Sequence, residues 1–340
     1  MNEKVTNIKF NGNTKNYFGI WISNIFLTII TIGIFSAWAK VRRICFFYEN
    51  TSFIKDNFNY HATGLQILKG RLLVVLAIIA IGLISSINEN IYWITYILFL
   101  AVLPYAFNKS MQFNLRMTSF RNIRFNWTGN YKGNFLVLII FPFLSILSFG
   151  LMIPYSARAI RQYYFNNITF GKSKFLTTSN IKPYFIALLL SLIPLIFIIF
   201  LFAIFGLTEN TLTPSNTPSL TASFIPLILI LIFITCIFPI FKTLTRNIVI
   251  NNLTLDTKIS FKSSLDSKKI VWIGLSNFLV IIFSFGLMYP WAVIRMYKYL
   301  CINTSIQSKV DLDKFVSEEK KKISSTGEEF VDFDNSEISI

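Results

Sequence analysis

Apolar residues are gathered into seven long runs along the chain, separated by polar and basic stretches. Each run holds roughly 16 to 24 residues, the helix length that crosses a hydrocarbon layer about 30 Å thick. The pattern predicts an integral membrane protein whose membrane part is all-α. The runs cover residues 19–38, 72–87, 91–107, 135–155, 184–207, 224–241 and 270–291.

The distribution of Lys and Arg distinguishes two arrangements of these runs. If all seven cross as ordinary transmembrane helices, the two sides hold 14 and 18 of the 32 basic residues, and the positive-inside rule fails. Two connections, residues 88–90 and 208–223, contain no basic residue. If only the pairs 72–107 and 184–241 cross, all 32 basic residues lie inside.

The sequence therefore predicts a polytopic helical bundle with four full crossings. The other three runs are expected to be re-entrant or interfacial segments that enter and leave by one face, which is tolerated where protein or water covers the freed backbone groups. Both termini are then cytoplasmic. Seven ordinary transmembrane helices remain the alternative.

The three runs assigned to one face share a pattern centred on a glycine. A hydroxyl residue stands two positions before it, an aromatic residue five after it and Asn 17 after it. Glycine lets the backbone turn and a hydroxyl can bond a freed carbonyl, so the pattern favours a bent segment over a straight helix with a packing glycine. In two copies, Asn24 and Asn277 stand nine positions before the glycine. The candidate structural or binding residues are Thr31, Gly33, Trp38, Arg42, Asn50, Ser148, Gly150, Tyr155, Asn167, Ser284, Gly286, Trp291, Arg295 and Asn303.

Between the runs, short stretches alternate apolar and polar residues around Gly, Asn and Asp. This alternation predicts small cytoplasmic β-hairpins at residues 50–64, 117–129, 167–175 and 248–261. Residues 1–306 are expected to form one membrane domain, and residues 307–340 a disordered charged tail. Within the domain, the glycine pattern recurs over about residues 10–64, 125–175 and 261–306.

Composition agrees with a membrane protein, because only 14% of the 340 residues are charged against about 25% in soluble domains. The net charge is +16, and juxtamembrane Lys and Arg attract anionic lipid headgroups. Membrane lipids are therefore the expected partners. Nucleic acid is disfavoured, since the charge is spread over every boundary. A sharper hypothesis is a phosphate or headgroup site formed by Arg42, Arg43, Arg158, Arg161 and Arg295.

The sequence contains few residues in arrangements typical of catalysis or metal binding. The apolar runs contain no Asp, Glu, Lys, Arg or His, which disfavours proton relays and ion-coupled carriers. His61 is the only histidine, and the three cysteines lack the spacing of a disulfide or metal framework. No catalytic residue, metal ligand or cofactor site is predicted.

The chain resembles the YjgN-like family of bacterial inner-membrane proteins, a domain of unknown function. The resemblance is carried by Phe10-Asn-Gly-Asn, by Thr31-Ile-Gly-Ile, by the stretch from Ala37-Trp-Ala to Arg42 and by Phe58-Asn-Tyr60. It covers most of residues 10–305 and implies a multi-pass protein of the bacterial cytoplasmic membrane, without an established reaction or ligand. The chain departs from the family's Pro-Trp-Ala at Ala37 and at Tyr155-Ser156.

Two functions are compatible with these observations. Broken membrane segments can bind ligands through backbone groups and helix ends, which favours a transporter or channel-like protein for a small solute or lipid. The alternative is a non-catalytic membrane scaffold, or lipid-organising protein, that binds partners through its cytoplasmic face.

Overall fold

The computed structural model describes residues 4–85, 89–212, 231 and 233–324. Much of the second connection without basic residues, at 213–223, lies outside this part of the chain, as does the acidic end of the tail at 325–340.

Short strands form the centre of the molecule. They are β1 (Lys4–Asn7), β2 (Lys9–Phe10), β3 (Thr51–Phe53), β4 (Asp56–Tyr60), β5 (Thr118–Phe120), β6 (Ile123–Trp127), β7 (Ile168–Phe170), β8 (Ser173–Thr177), β9 (Leu253–Leu255), β10 (Ile259–Ser263) and β11 (Thr304–Ser308). They form one 11-stranded antiparallel sheet in the order β1-β11-β10-β9-β8-β7-β6-β5-β4-β3-β2. The predicted β-hairpins are therefore present, joined edge to edge.

The N-terminal segment closes this sheet into a barrel. β1 pairs with β11 and β2 pairs with β3, so the two ends of the sheet are joined by neighbouring strands of one segment. Between them, the N–H of Ile8 donates to the carbonyl of Thr304 at 3.1 Å. Closure removes the exposed strand edges that would otherwise pair with other chains.

Helices connect the strands on one side of the barrel. They are α1 (Thr14–Ile30), α2 (Ser36–Glu49), α3 (Gly64–Ser85), α4 (Glu89–Arg116), α5 (Tyr131–Phe135), α6 (Phe141–Leu147), α7 (Ile153–Asn166), α8 (Lys182–Leu212), α9 (Phe238–Asn251), α10 (Ser267–Phe283), α11 (Tyr289–Ile302) and α12 (Leu312–Ser324). A π-helix, Leu136–Ile140, joins α5 to α6.

Five strand–helix pair–strand units repeat around the barrel. The pairs α1–α2, α3–α4, α5/α6–α7, α8–α9 and α10–α11 each link two hydrogen-bonded strands. Neighbouring pairs also touch, and α11 packs against α1. The helices thus form a closed ring above the strand barrel.

Local sequence explains where the helical arms begin. Asn13, Asn130 and Asp266 cap the first arms, accepting backbone N–H bonds from Asn16, Gly133 and Lys268. The returning arms α7 and α11 carry Pro in their first turn, where its missing N–H costs no hydrogen bond.

Phenylalanine side chains fill the barrel. Phe53, Phe120 and Phe170 are buried there with Ile and Leu from the other strands. The C-terminal helix α12 adds Phe315 and Val316 to this core. Glu319, on the same helix, accepts hydrogen bonds from Ser173 N–H (3.2 Å) and Ser173 Oγ (2.9 Å) at the β7–β8 turn. Residues 307–324, predicted as part of a disordered tail, instead complete a strand and form this docked helix.

The predicted fold class, a polytopic helical bundle with four crossings, is wrong, and so is the alternative of seven ordinary transmembrane helices. The chain is organised around a closed sheet. Within the described ranges, one helical stretch, Gly64–Ile84, is long and apolar enough to cross a membrane, and only 6% of it is buried. The error arose because the short strands were treated as separate hairpins attached to a helical bundle, whereas they pair with one another into one sheet that organises the whole chain.

Candidate functional site

The three glycine patterns form the turns of three helical hairpins. The residue before each glycine and the glycine itself both have positive φ, as at Phe149 (49°) and Gly150 (88°). Each glycine N–H donates back into the first arm, for example from Gly150 to the Ser145 carbonyl at 2.8 Å. Two consecutive left-handed residues reverse the chain, and glycine adopts the second of these conformations with least strain.

The hydroxyl residue two positions before the glycine caps the returning arm. Thr31 Oγ1 accepts the N–H of Phe35 at 2.9 Å. Ser148 Oγ accepts the N–H of Met152 at 3.0 Å, and Ser284 Oγ that of Met288 at 3.1 Å. These hydroxyls satisfy backbone donors that a helix start leaves free.

Each hairpin presents a large apolar side chain at its tip. Ile32, Phe149 and Phe285 are 93%, 99% and 97% exposed. Their neighbours on the arms, such as Ile146 and Phe283, are also exposed. Apolar surface costs free energy in water at about 25 cal/mol per Å², so contiguous patches of this kind indicate a contact surface. We call these three exposed ends the apolar tips.

The asparagines 17 positions after the glycines close the hairpins at their bases. Each side-chain amide donates to the carbonyl four residues earlier, from Asn50 at 2.7 Å and from Asn167 and Asn303 at 2.8 Å. Their own carbonyls accept a bond from the preceding strand segment, as Asn50 does from Asn11. These asparagines therefore stabilise the junction between helix and barrel.

The aromatic residues five positions after the glycines have different surroundings. Trp38 packs on Gly64, where a side chain would collide with its ring. Tyr155 meets the edge of Phe141 at 5.8 Å, and Trp291 lies under the guanidinium of Arg295 at 5.1 Å.

The arginines expected to converge do not share one site. Arg42 lies over the ring of Phe35 at 5.0 Å, and Arg158 donates to the carbonyl of Ser179. Arg43 lines the cavity described below, and the other two have partners on neighbouring helices. Arg161 donates to Thr245, and Arg295 to Ser276 and Asn277.

A different set of cations surrounds a cavity beside the first hairpin. The cavity measures about 480 Å³ and lies between α1, α2, the start of α3 and α11. Arg71 donates to Ser36 Oγ at 2.5 Å. Burial lowers the pKa of Lys40, and the neighbouring Arg71 and Arg43 lower it further. We call this the cationic pocket; its lining includes Lys40, Arg43, Arg71, Asn24, Trp21 and Tyr289.

The sequence pointed to Arg43 but not to its companions. The sequence does not single out Lys40 or Arg71, because nothing local shows that α3 lies beside α2. The one available signal was the recurrence of Asn24 and Asn277 at the same distance from the glycine.

His61 takes part in a structural contact. Its Nε2 lies 2.7 Å from Ser119 Oγ, and burial lowers its pKa, with a smaller effect from Arg124. In the ranges that the structure covers, no group of three or more His, Cys, Asp or Glu side chains is placed to hold a metal ion.

The sequence also matches a known family over residues 5–333, described as "Bacterial protein of unknown function (DUF898)". The chain belongs to this family. It is 23% identical to the inner membrane protein YjgN of Salmonella typhimurium strain LT2, covering 92% of this chain and 91% of that protein. With the inner membrane protein YjgN of Escherichia coli strain K12 it is 29% identical, over 42% of this chain and 36% of that protein.

These similarities confirm the resemblance found from the motifs near Gly33 and Gly286. The names of the relatives support an inner-membrane location for this chain. No solved structure matches it.

Proposed function

We propose that this chain organises lipids at the cytoplasmic face of the bacterial inner membrane without catalysing a reaction. The barrel lies in the cytoplasm with both termini, α3 extends into the bilayer, and the three hairpins dip into the near leaflet. The observation that carries the proposal is the set of apolar tips, Ile32, Phe149 and Phe285, each more than nine-tenths exposed.

The position of the cations supports shallow insertion. Lys40, Arg158 and Arg295 lie four to six residues into the returning arms, about 6–9 Å from the turn along the helix axis. Cations at headgroup level would then leave one or two helical turns in the hydrocarbon. This depth is typical of interfacial segments, which bury apolar groups about 5–10 Å.

The apolar part of α3 is long enough to reach deeper into the bilayer than the hairpin tips do. Beyond Arg71, residues 72–85 of α3 contain no charged side chain and rise about 21 Å, most of the roughly 30 Å hydrocarbon thickness. Few of its residues are buried in the protein, so lipid is the surrounding that its side chains require.

The filled barrel favours lipid organisation over transport. Phe53, Phe120 and Phe170 are buried in one core with Phe315 of α12. A solute would have to displace this core to pass, so the proposal follows the lipid-organising alternative.

Boundary-lipid measurements test this function. The full-length protein is reconstituted into vesicles of phosphatidylglycerol and phosphatidylcholine, and electron spin resonance measures the fraction of spin-labelled phosphatidylglycerol that is motionally restricted. The triple variant Ile32→Asn, Phe149→Asn, Phe285→Asn should lower this fraction, because its tips no longer enter the leaflet.

The matched control replaces two exposed apolar residues at the barrel, Val5→Asn and Val310→Asn, and should leave the fraction unchanged. An unchanged fraction in the triple variant, or equal losses in both variants, would contradict the proposal.

A further inference from the structure

Asn24 has a buried acceptor that lacks a partner. The residue is 8% exposed, lines the cationic pocket, and its Oδ1 accepts no hydrogen bond. Among the described residues this is one of two such buried side-chain atoms, the other being Ser267 Oγ. A buried acceptor without a donor costs about 1–3 kcal/mol of folding free energy. A ligand that donates a hydrogen bond to this atom would recover that cost.

The third hairpin shows how the equivalent residue is satisfied. Asn277 stands at the same distance from its glycine, donates to the Ala292 carbonyl at 3.0 Å and accepts from Arg295 Nη1 at 3.1 Å. Arg42 is the counterpart of Arg295, but it lies over the ring of Phe35. The first hairpin therefore keeps the asparagine and directs its arginine away.

The positive charges of the pocket also lack counter-ions. Within the part of the chain that the structure covers, no carboxylate oxygen lies within 4.0 Å of Lys40, Arg43 or Arg71, since the ion pairs found there involve other residues. Three neighbouring cations repel one another. An anion between them would relieve this repulsion.

Apolar residues in the wall of the pocket indicate that the anionic group belongs to a ligand with an apolar part. Ile25 and Ile29 of α1 line it beside the cations, and Ile29 is 71% exposed. An acyl chain could therefore follow α1 toward the apolar tip while the charged group stays at Lys40.

We propose that the cationic pocket binds the phosphate of an anionic glycerophospholipid whose headgroup also carries a hydroxyl. The phosphate lies among Lys40, Arg43 and Arg71, and the headgroup hydroxyl donates to Asn24 Oδ1. This inference rests on the proposed lipid-organising function and adds a specific site to it.

Native mass spectrometry of the full-length protein in detergent tests the site, with phosphatidylglycerol as the probe. Arg71→Gln and Lys40→Gln should each weaken phosphatidylglycerol binding about fivefold. Arg42→Gln is the matched control on the same helix and should leave binding unchanged. Unchanged binding in both pocket variants would overturn the proposal.

The source of the phosphate is tested with two further probes. Phosphatidylcholine lacks the hydroxyl and the net negative charge and should bind at least tenfold more weakly. Glycerol 3-phosphate, which lacks acyl chains, should also bind more weakly; equal affinity for it and for phosphatidylglycerol would overturn the assignment to a lipid.

Asn24→Leu separates a binding role from a structural one. It should raise the melting temperature of the lipid-free protein, because it removes an unsatisfied acceptor, and should weaken phosphatidylglycerol binding. Asn277→Leu, which breaks contacts to Ala292 and Arg295, should lower the melting temperature. If Asn24→Leu lowered stability and left binding unchanged, Asn24 would be structural.

The failure of this site and the failure of the proposed function give different results. Loss of boundary lipid in the triple tip variant depends on Ile32, Phe149 and Phe285, not on the pocket. If the triple tip variant loses boundary lipid as expected, but the pocket variants bind phosphatidylglycerol unchanged, the proposed site is rejected and the proposed function stands.

Discussion

Gly286 shows how one residue determines the shape of a hairpin. Its φ is +88°, and a Cβ built at this position would meet nothing within 4 Å. A side chain there has space but an unfavourable backbone. The constraint is therefore conformational and not steric.

Gly286→Ala should lower the free energy of unfolding by about 1–2 kcal/mol, the cost of a left-handed alanine. Gly274→Ala is the matched control, because Gly274 lies in α10, also has open space and has no positive φ. The control should be neutral or stabilising by up to about 1 kcal/mol. Detergent-induced unfolding of both purified variants measures the difference, and equal effects would contradict the role assigned to the turn.

The repeated residues could be located from sequence more readily than their roles. The glycine and hydroxyl positions predict a bend, and the structure has one at each. The asparagines at 50, 167 and 303 recur just as regularly, yet they cap helices. A recurring asparagine can cap a helix or bind a ligand, and spacing alone does not distinguish the two.

At the scale of elements, α12 is an ordered helix in a segment whose charged composition predicts disorder. Leu312, Phe315, Val316 and Ile323 recur at helical spacing inside a segment rich in Lys and Glu. In the structure these residues pack on the barrel core. The element is stable because the barrel supplies an apolar surface far away in sequence, which local composition does not reveal.

The docking of α12 depends on the Glu319 carboxylate. Burial alone would raise the pKa of Glu319, but hydrogen bonds from Lys322, Ser173 and the Lys172 N–H outweigh it, so the pKa lies below the usual value for a glutamate. A lowered carboxyl pKa contributes stability that is present above the unfolded value and is lost as pH falls through the folded value.

Hydrogen exchange should therefore show α12 opening in acid, with protection at residues 312–324 falling as the pH drops below the ordinary pKa of a glutamate and through the lowered pKa of Glu319. At neutral pH, Glu319→Gln should reduce protection about thirtyfold, for a loss of about 2 kcal/mol in charged hydrogen bonds. Glu318→Gln is the control, because Glu318 makes only an exposed 3.9 Å contact with Lys258. Equal protection in the two variants would show that Glu319 does not hold α12 in place.

At the scale of the whole molecule, the N-terminal segment holds the ring closed. Phe10 is 6% exposed and packs on Phe47 and Tyr297, with ring centroids 5.7 and 4.9 Å apart. These contacts join the first strand–helix pair–strand unit to the last. Closure therefore depends on residues far apart in the sequence.

Phe10→Ala should destabilise the protein by about 3–5 kcal/mol, the usual cost of truncating a buried phenylalanine. Val5→Ala, in the same segment but at an exposed position, should change stability by less than about 0.5 kcal/mol. Thermal unfolding followed by circular dichroism compares the two. Similar melting temperatures would mean that the closing segment contributes little.

The closed ring could not be predicted from the hydrophobic pattern. Three of the five units carry the glycine turn and were found by comparing segments with one another. The units containing α3–α4 and α8–α9 have longer helices instead. Only the strand pairing shows that they are structurally equivalent to the other three. Barrel closure through β1 and β2 is likewise a contact between chain ends.

The depth of the apolar tips tests the central claim most directly. A fluorophore is attached to Phe149→Cys in full-length protein with Cys45, Cys236 and Cys301 replaced by Ala, and the protein is reconstituted into phosphatidylglycerol-containing vesicles. Val310→Cys on the barrel side is the control. The account predicts that lipids with a nitroxide near the headgroup quench the Phe149 label most strongly, and that aqueous iodide quenches only the Val310 label. Equal iodide quenching at both positions, or strongest quenching from the bilayer centre, would contradict shallow insertion of the hairpins.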